Sequence, residues 1–144
     1  MDAGNPAGYT SSAGVVWQAD QYYDAGSGAS GFTTVAPENA SNPVIYMTER
    51  WCANGYHLPI ANGSYRLRLF FDEINPASGT RVFDVAAENL TILSGLNITV
   101  SAGGINRAMS RTFAVTVKDR SLDITFTRHQ NCPSISAIAV LPAA

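Results

Sequence analysis

Apolar and polar residues alternate along much of this chain, and the alternation predicts β-strands. In the run Tyr65–Asp72, apolar residues occupy every second position, with Arg66 and Arg68 between them. Consecutive residues of a strand point to opposite faces, so this pattern is typical of a strand with one buried face. The same reasoning predicts strands over Phe113–Val117, Leu122–Thr127 and Leu96–Val100, and a final strand buried on both faces over Ile135–Leu141.

Turn residues separate these strands. Asn62-Gly63 predicts a hairpin turn ahead of the Tyr65 strand. Further loops are predicted over Asn75–Gly79, Ala102–Gly104 and Asp119–Ser121, and a long loop over Gly26–Gly31 in a less regular stretch that ends near residue 43. Strands that recur about every ten residues indicate an all-β fold, a two-sheet antiparallel β-sandwich or jelly roll. We therefore expect residues 1–144 to form a single domain.

The composition narrows the class of protein. Charged residues make up 14% of the chain, against roughly 25% in an average soluble domain, and Ser, Thr, Asn and Gly take their place. The net charge is −2 and the only lysine is Lys118. Phosphate binding needs clustered basic residues, so nucleic acid is excluded as a partner. No apolar stretch approaches the roughly 20 residues of a membrane span. We expect a secreted or cell-surface, monomeric domain that belongs to a longer chain.

The two cysteines, Cys52 and Cys132, allow two interpretations. They could be unrelated buried thiols, or they could form a disulfide. Each lies in a predicted loop, and an even count in a chain of secretory composition favours pairing, so we predict the disulfide. A zinc site is not expected, because the cysteines and the two histidines lack the short paired spacings of zinc ligands.

Trp51 is the leading candidate for a ligand-binding residue. It ends a predicted strand, follows the charged pair Glu49 and Arg50, and precedes a Cys-Ala-Asn-Gly loop. An exposed indole there would stack on the C–H face of a sugar, and Arg50 would donate hydrogen bonds to hydroxyl groups. The alternatives are that Trp51 caps the core and that one of the charged pair forms an internal ion pair.

A second polar segment comes before the final strand. We expect the run Arg128-His129-Gln130-Asn131 to be a loop whose planar groups bridge neighbouring sugar hydroxyls, with a merely solvated loop as the alternative. A disulfide between Cys52 and Cys132 would place this loop beside Trp51. His57 is interpreted as structural.

Catalysis is not expected. Glycosidases need two carboxylates on either side of one bond, but Asp72 and Glu73 are neighbours in a predicted strand and so point to opposite faces. The chain has no Gly-x-Ser-x-Gly motif, no glycine-rich phosphate loop and no Asp-x-Asp calcium loop. No cofactor is expected, although a structural calcium stays open.

Five segments, in order, resemble the malectin and malectin-like carbohydrate-binding family. Such domains carry a Thr-Glu-Arg-aromatic segment, an Asn-Gly turn, an alternating strand with an acidic end, a Val-Phe-Asp-Val strand and a closing Pro-initiated strand. The corresponding segments here are Thr48–Trp51, Leu58–Gly63, Leu69–Ile74, Arg81–Val85 and Pro133–Ile138. The resemblance implies a galactose-binding-like β-sandwich over about residues 15–141.

The resemblance also implies a sugar site in the loops at one end of the sandwich. The family's aromatic positions correspond to Trp51 and Phe32 in this chain. A further aromatic pair corresponds to Asn75 and Pro76, and an aspartate corresponds to Asn131, so the sequence departs from the family there. We expect Asn75 and Asn131 to contact the ligand from these positions. These departures put the di-glucose specificity of the animal member in doubt.

Together these observations predict a non-catalytic carbohydrate-binding module of a glycan-active enzyme or surface protein. It would bind one to three units of an oligo- or polysaccharide, with glucans as candidates. One alternative is a protein-interaction module without sugar binding, and another is a small glycan-active enzyme. An alternative sugar surface is the sheet face, which Phe70 and Phe83 would share with Arg66 and Arg68.

Overall fold

A computed structural model describes residues 1–143, which form an all-β protein. These residues contain twelve strands and one short α-helix, α1 (Ile98–Ala102). The strands are β1 (Tyr9–Thr10), β2 (Val16–Trp17), β3 (Ala29–Phe32), β4 (Thr48–Trp51), β5 (Gly55–Pro59), β6 (Gly63–Phe71), β7 (Val82–Ala87), β8 (Leu90–Leu96), β9 (Met109–Val117), β10 (Ser121–Gln130), β11 (Ser134–Ile135) and β12 (Ala137–Pro142). Two 3₁₀ turns cover Pro43–Tyr46 and Pro76–Ser78.

The strands form the predicted antiparallel β-sandwich. One layer has the order β5-β10-β7-β8. The other layer consists of β11-β4-β3 and β12-β6-β9, which belong together because only Ser136 separates β11 from β12. The small β1–β2 hairpin packs outside this second layer, where Trp17 contacts Phe70.

The core lies between the two layers and is filled by alternate residues of β6, β7 and β10. Phe83 of β7 is fully buried there, and its ring centroid lies 6.2 Å from those of Phe71 and Phe126. The prediction that Phe83 faces away from the core is therefore wrong. Burying one such ring stabilises the fold by about 1.5–3 kcal/mol.

Two elements of the structure differ from those predicted. In one the chain crosses between layers, and in the other a helix-capping residue ends an apparently alternating strand. Asn62-Gly63 is not a hairpin: β5 pairs with β10 while β6 pairs with β9 and β12, so the chain crosses between layers there. The predicted strand Leu96–Val100 ends at Leu96. The side chain of Asn97 then accepts a hydrogen bond from the backbone N–H of Val100 at 3.1 Å and begins α1.

Three boundaries also differ from those predicted. β10 continues through Arg128 to Gln130, so the predicted loop there is mostly strand. Part of the predicted Gly26–Gly31 loop is β3. The final strand is split, and Leu141 is 50% exposed, so its last part is not buried on both faces. No helix within residues 1–143 is long and apolar enough to cross a membrane.

Candidate functional site

Trp51 lies at the end of β4, where the chain turns sharply. It pairs with Ala29 of β3 and Ser134 of β11, and its surface is 37% exposed. Cys52 follows with a φ of 54° and forms a disulfide with Cys132, the Cα atoms being 4.5 Å apart. The predicted disulfide is confirmed, and it holds the end of β10 beside Trp51.

A cleft of about 210 Å³ opens at this end of the sandwich. Its walls are Trp51, Arg81, Arg128, Asn131 and Cys132. The side-chain N–H of Asn131 donates to the carbonyl of Thr80 at 2.6 Å, which holds the β6–β7 loop against this wall. The structure thus brings together three of the predicted site residues and adds Arg81. We call this space the Trp51 cleft.

Arg81 forms the floor of the Trp51 cleft and is almost fully buried. Its Nε donates to Glu73 at 2.8 Å and its Nη1 to the carbonyl of Cys132 at 2.8 Å, while Glu49 lies 3.7 Å from Nη2. The pattern of apolar and polar residues does not by itself single out Arg81. Arg81 could have been found from the sequence as a charged residue at an inward position. It lies two residues before the buried Phe83 of β7, and alternate residues of an extended chain point to the same face.

Two of the buried carboxyl groups at this end have pKa values above their ordinary values. Burial raises the pKa of Glu49 to about 7, although Arg81 opposes the shift. Burial likewise raises the pKa of Asp72 to about 6. Glu73 instead forms the close ion pair with Arg81. The cluster is therefore an internal support for the cleft, consistent with the prediction that Asp72 and Glu73 are not a catalytic pair.

Arg50 does not reach the Trp51 cleft. Its Nε pairs with Asp20 at 2.5 Å, and its guanidinium lies 3.6 Å from the centroid of the Tyr23 ring. Only 8% of the residue is exposed. Glu49 contacts Arg81 on the opposite face of β4, so both members of the charged pair form internal ion pairs. The expectation that Arg50 donates to a ligand beside Trp51 is corrected accordingly.

Phe32 is also separated from Trp51. In the β3–β4 pairing, Phe32 lies opposite Thr48, whereas Trp51 lies opposite Ala29. The two aromatic residues are therefore three positions, or about 10 Å, apart along the strands. A Cβ on Gly31 would lie 3.2 Å from the side chain of Glu49, so Gly31, Glu49 and Trp51 share one face. Phe32 points to the other face, where it is 79% exposed. One platform containing both rings is excluded by this register.

The remaining predicted residues are not among those that line the cleft. Asn75 precedes the 3₁₀ turn of the β6–β7 loop, and its backbone N–H donates to Glu73 at 3.0 Å. His129 pairs with Asp84 at 2.9 Å on the solvent face of the sheet. Gln130 is exposed at the end of β10, opposite Val82. Ligand contacts by these three residues stay predictions.

His57 is held between two carboxylates, in line with its structural interpretation. Its Nε2 lies 2.7 Å from Asp24 and its Nδ1 lies 2.7 Å from Asp123. The hydrogen bond to Asp123 raises the pKa of this exposed imidazole. His57 thereby joins the loop before β3 to β5 and β10.

Comparison with known proteins identifies the family. The family model described as the Malectin domain matches residues 1–138. The chain belongs to the Malectin domain family. The malectin domain is a non-catalytic module, as expected from the sequence.

Similar proteins carry this domain within longer chains. The chain is 30% identical to a probable LRR receptor-like serine/threonine-protein kinase of Arabidopsis thaliana, over 72% of this chain and 12% of the kinase. It thus spans about an eighth of the length of that relative.

Solved structures share the fold. The chain superposes on a Bacteroides uniformis beta-glucuronidase with a TM-score of 0.89 and 21% identity, over 100% of this chain and 18% of the enzyme. It superposes on a chain of the complex of plant peptide RALF23 with FER and LLG2 with a TM-score of 0.83 and 17% identity, over 96% of this chain and 46% of the other. At these identities the likeness is one of fold alone.

Proposed function

We propose that this malectin domain binds a short stretch of an oligosaccharide or polysaccharide at the Trp51 cleft. The observation that carries the proposal is a partly exposed indole beside a guanidinium and an amide, at the mouth of a cleft of about 210 Å³. Ligand pockets typically measure about 300–1,000 Å³. This smaller cleft suits a single sugar unit or a chain end, with neighbouring units lying over the indole.

The side chains around the cleft match the chemistry of a sugar. The apolar C–H face of a pyranose removes aromatic surface from water when it stacks on Trp51. Arg128 carries several N–H donors, and Asn131 offers an amide oxygen once its N–H₂ has bonded Thr80. The disulfide fixes these groups relative to one another, which reduces the conformational entropy lost on binding.

Replacing Trp51 by Ala tests the proposal. W51A should lose on the order of 1–3 kcal/mol of binding free energy, because an anchoring aromatic is removed. Affinity electrophoresis against α- and β-glucans, galactans and mannans measures the loss. Y22A is the matched control, since Tyr22 is 48% exposed and lies outside the cleft. Unchanged binding by W51A, or unfolding of W51A with binding retained in the folded fraction, would contradict the proposal.

A protein-binding role is the second candidate, favoured by the exposure of Phe32 on the face of the β3–β4 pair opposite to Trp51. Aromatic side chains are frequent anchors at protein interfaces. The shared fold with a chain of a peptide complex is compatible with this role. If the domain binds no glycan of the panel and F32A abolishes capture of a defined peptide or protein ligand, this second role replaces the first.

We place the domain outside the cell, as one module of a longer protein. Similar structures include the ANXUR1 extracellular domain of Arabidopsis thaliana, of which this chain covers 41%, and the disulfide is compatible with an oxidising compartment. In such a chain the module would bring a covalently linked receptor or catalytic domain to a glycan. Size-exclusion chromatography with light scattering tests the accompanying expectation that the isolated domain is a monomer.

A further inference from the structure

A second cleft, of about 320 Å³, lies on the outer face of the β12-β6-β9 sheet. Its walls come from β2, the segment 39–46, and the outer face of β6 and β9. It shares no lining residue with the Trp51 cleft. We call it the outer-face cleft.

Three aromatic side chains form the base of the outer-face cleft. The ring centroid of Phe70 lies 5.5 Å from that of Trp17 and 5.8 Å from that of Tyr46, in edge-to-face arrangements. Phe70 and Tyr46 are 5% and 7% exposed, so the rings line a recess and do not protrude. A recessed aromatic base admits a small ligand more readily than the flat surface of a protein.

The polar groups of the outer-face cleft have hydrogen-bonding capacity left over. The indole N–H of Trp17 is buried and has no acceptor among residues 1–143. Arg68 uses Nε and Nη2 on the hydroxyl of Ser110, at 3.1 and 2.8 Å. Asn42 uses its amide oxygen on the hydroxyl of Tyr9 at 3.3 Å.

Three N–H donors on one cleft therefore lack a partner within the described chain: the Trp17 indole, Arg68 Nη1 and the Asn42 amide. Only the Trp17 N–H is buried, and a buried donor without an acceptor costs about 1–3 kcal/mol. Arg68 is exposed and Asn42 is half-buried, so their spare N–H groups face solvent. A ligand rich in hydroxyl oxygens would supply acceptors for the accessible N–H groups of Arg68 and Asn42.

We propose that the outer-face cleft is a second carbohydrate-binding site, which takes one or two units of a neutral oligosaccharide. The aromatic base suits the C–H face of a sugar, and the donors suit its hydroxyls. No carboxylate lines the cleft, so a metal ion would lack its preferred ligands. Arg68 is already engaged by Ser110 and stacked 4.8 Å from the Phe70 ring centroid, so the site is not built around a free cation.

The chain contains two tryptophans, and each cleft has one of them. Each site can therefore be observed separately through its indole N–H resonance in a ¹H–¹⁵N correlation spectrum, with W17F and W51F assigning the two signals. The probes are maltotriose, cellotriose, mannotriose and β-1,4-galactotriose, titrated into the wild-type domain.

The proposal expects a saturable shift of the Trp17 signal with at least one trisaccharide, and the same shift in W51F. In the W51F background, N42A and R68A are each expected to weaken the affinity measured from that shift by tenfold or more. If R68A does not fold, N42A alone decides, because Asn42 is a loop residue whose side chain, among residues 1–143, is hydrogen-bonded only to Tyr9.

The outcomes separate this proposal from the role proposed for Trp51. A shift of the Trp51 signal alone overturns the second site and leaves the first. A shift of the Trp17 signal alone supports the second site and removes the first. The proposal is overturned if none of the four trisaccharides shifts the Trp17 signal, or if N42A and R68A leave the shifts unchanged.

Discussion

Arg81 shows how one almost fully buried residue supports the Trp51 cleft from its floor. Its guanidinium links the carboxylate of Glu73 to the backbone of Cys132, and so links the β6–β7 loop to the disulfide. Removing one partner of a buried ion pair leaves the other charge uncompensated, which is far costlier than losing a surface pair.

We expect R81M to lose about 3–5 kcal/mol of unfolding free energy, since Glu73 would then be buried without its counter-ion. Urea denaturation followed by circular dichroism measures the loss. R66M is the matched control, because Arg66 is exposed on β6 and should change stability by no more than about 0.5 kcal/mol. Equal effects of the two substitutions would show that the Arg81 network contributes little.

At the scale of the elements, alternation predicts the strands that form the core, but it cannot predict their partners. β6 and β10 were predicted from alternation because one face of each is buried. The resemblance to the family places Phe32 and Trp51 in one site, because both correspond to aromatic positions of the family's sugar site. The β3–β4 register instead puts the two side chains on opposite faces. Register depends on pairing between distant segments, which a single sequence does not contain.

Local chemistry explains the other differences. Asn97 was included in an alternating strand, although an Asn before an apolar run is also a helix cap. By contrast, Trp51, Arg128 and Asn131 were correctly grouped because the predicted disulfide ties their segments together. Arg81 is not predicted by the reasoning from loop residues, because it contributes from an inward position directly before β7.

The disulfide is the strongest link between the end of β4 and the end of β10. It closes a separation of 80 residues, and in the chain-entropy model a loop of this length implies about 4–5 kcal/mol of stabilisation. We expect the double variant C52A/C132A to lose that much unfolding free energy in urea and to bind glycan more weakly, because the walls of the Trp51 cleft are no longer fixed. C52A/C132A with unchanged stability and binding would contradict this.

Free-thiol titration of the denatured, unreduced wild-type protein provides the control for that comparison and should find no reactive thiol. Two reactive thiols in protein made in an oxidising compartment would show that the bond does not form.

For the molecule as a whole, the buried carboxyl groups make stability depend on pH. The pKa of Glu49 is raised to about 7 by burial, so between its ordinary value and pH 7 the folded state binds more protons than the unfolded state. Stability must then rise as the pH falls through this range. We expect the melting temperature to increase from pH 8 to pH 6, and E49Q to flatten that dependence.

His57 acts in the same direction and has to be separated from Glu49. The pKa of His57 is raised chiefly by its hydrogen bond to Asp123, so its contribution is present at low pH and is lost as the pH rises through the folded-state value. Calorimetry of H57Q, E49Q and the double variant distinguishes the two. A melting temperature that falls from pH 8 to pH 6 in the wild type would contradict both assignments.

The directions of β9 and β10 have a practical consequence for how the domain can be handled. Lys118, the one side-chain amine, lies between Val117 at the end of β9 and Ser121 at the start of β10. The outer-face cleft begins at Met109, about 26 Å from Val117 along β9, and the Trp51 cleft begins at Arg128, about 23 Å from Ser121 along β10. Amine coupling to a sensor surface would react at Lys118 and at the α-amino group of Met1, and attachment through Lys118 would place the support at the turn between β9 and β10, away from the residues that line either cleft.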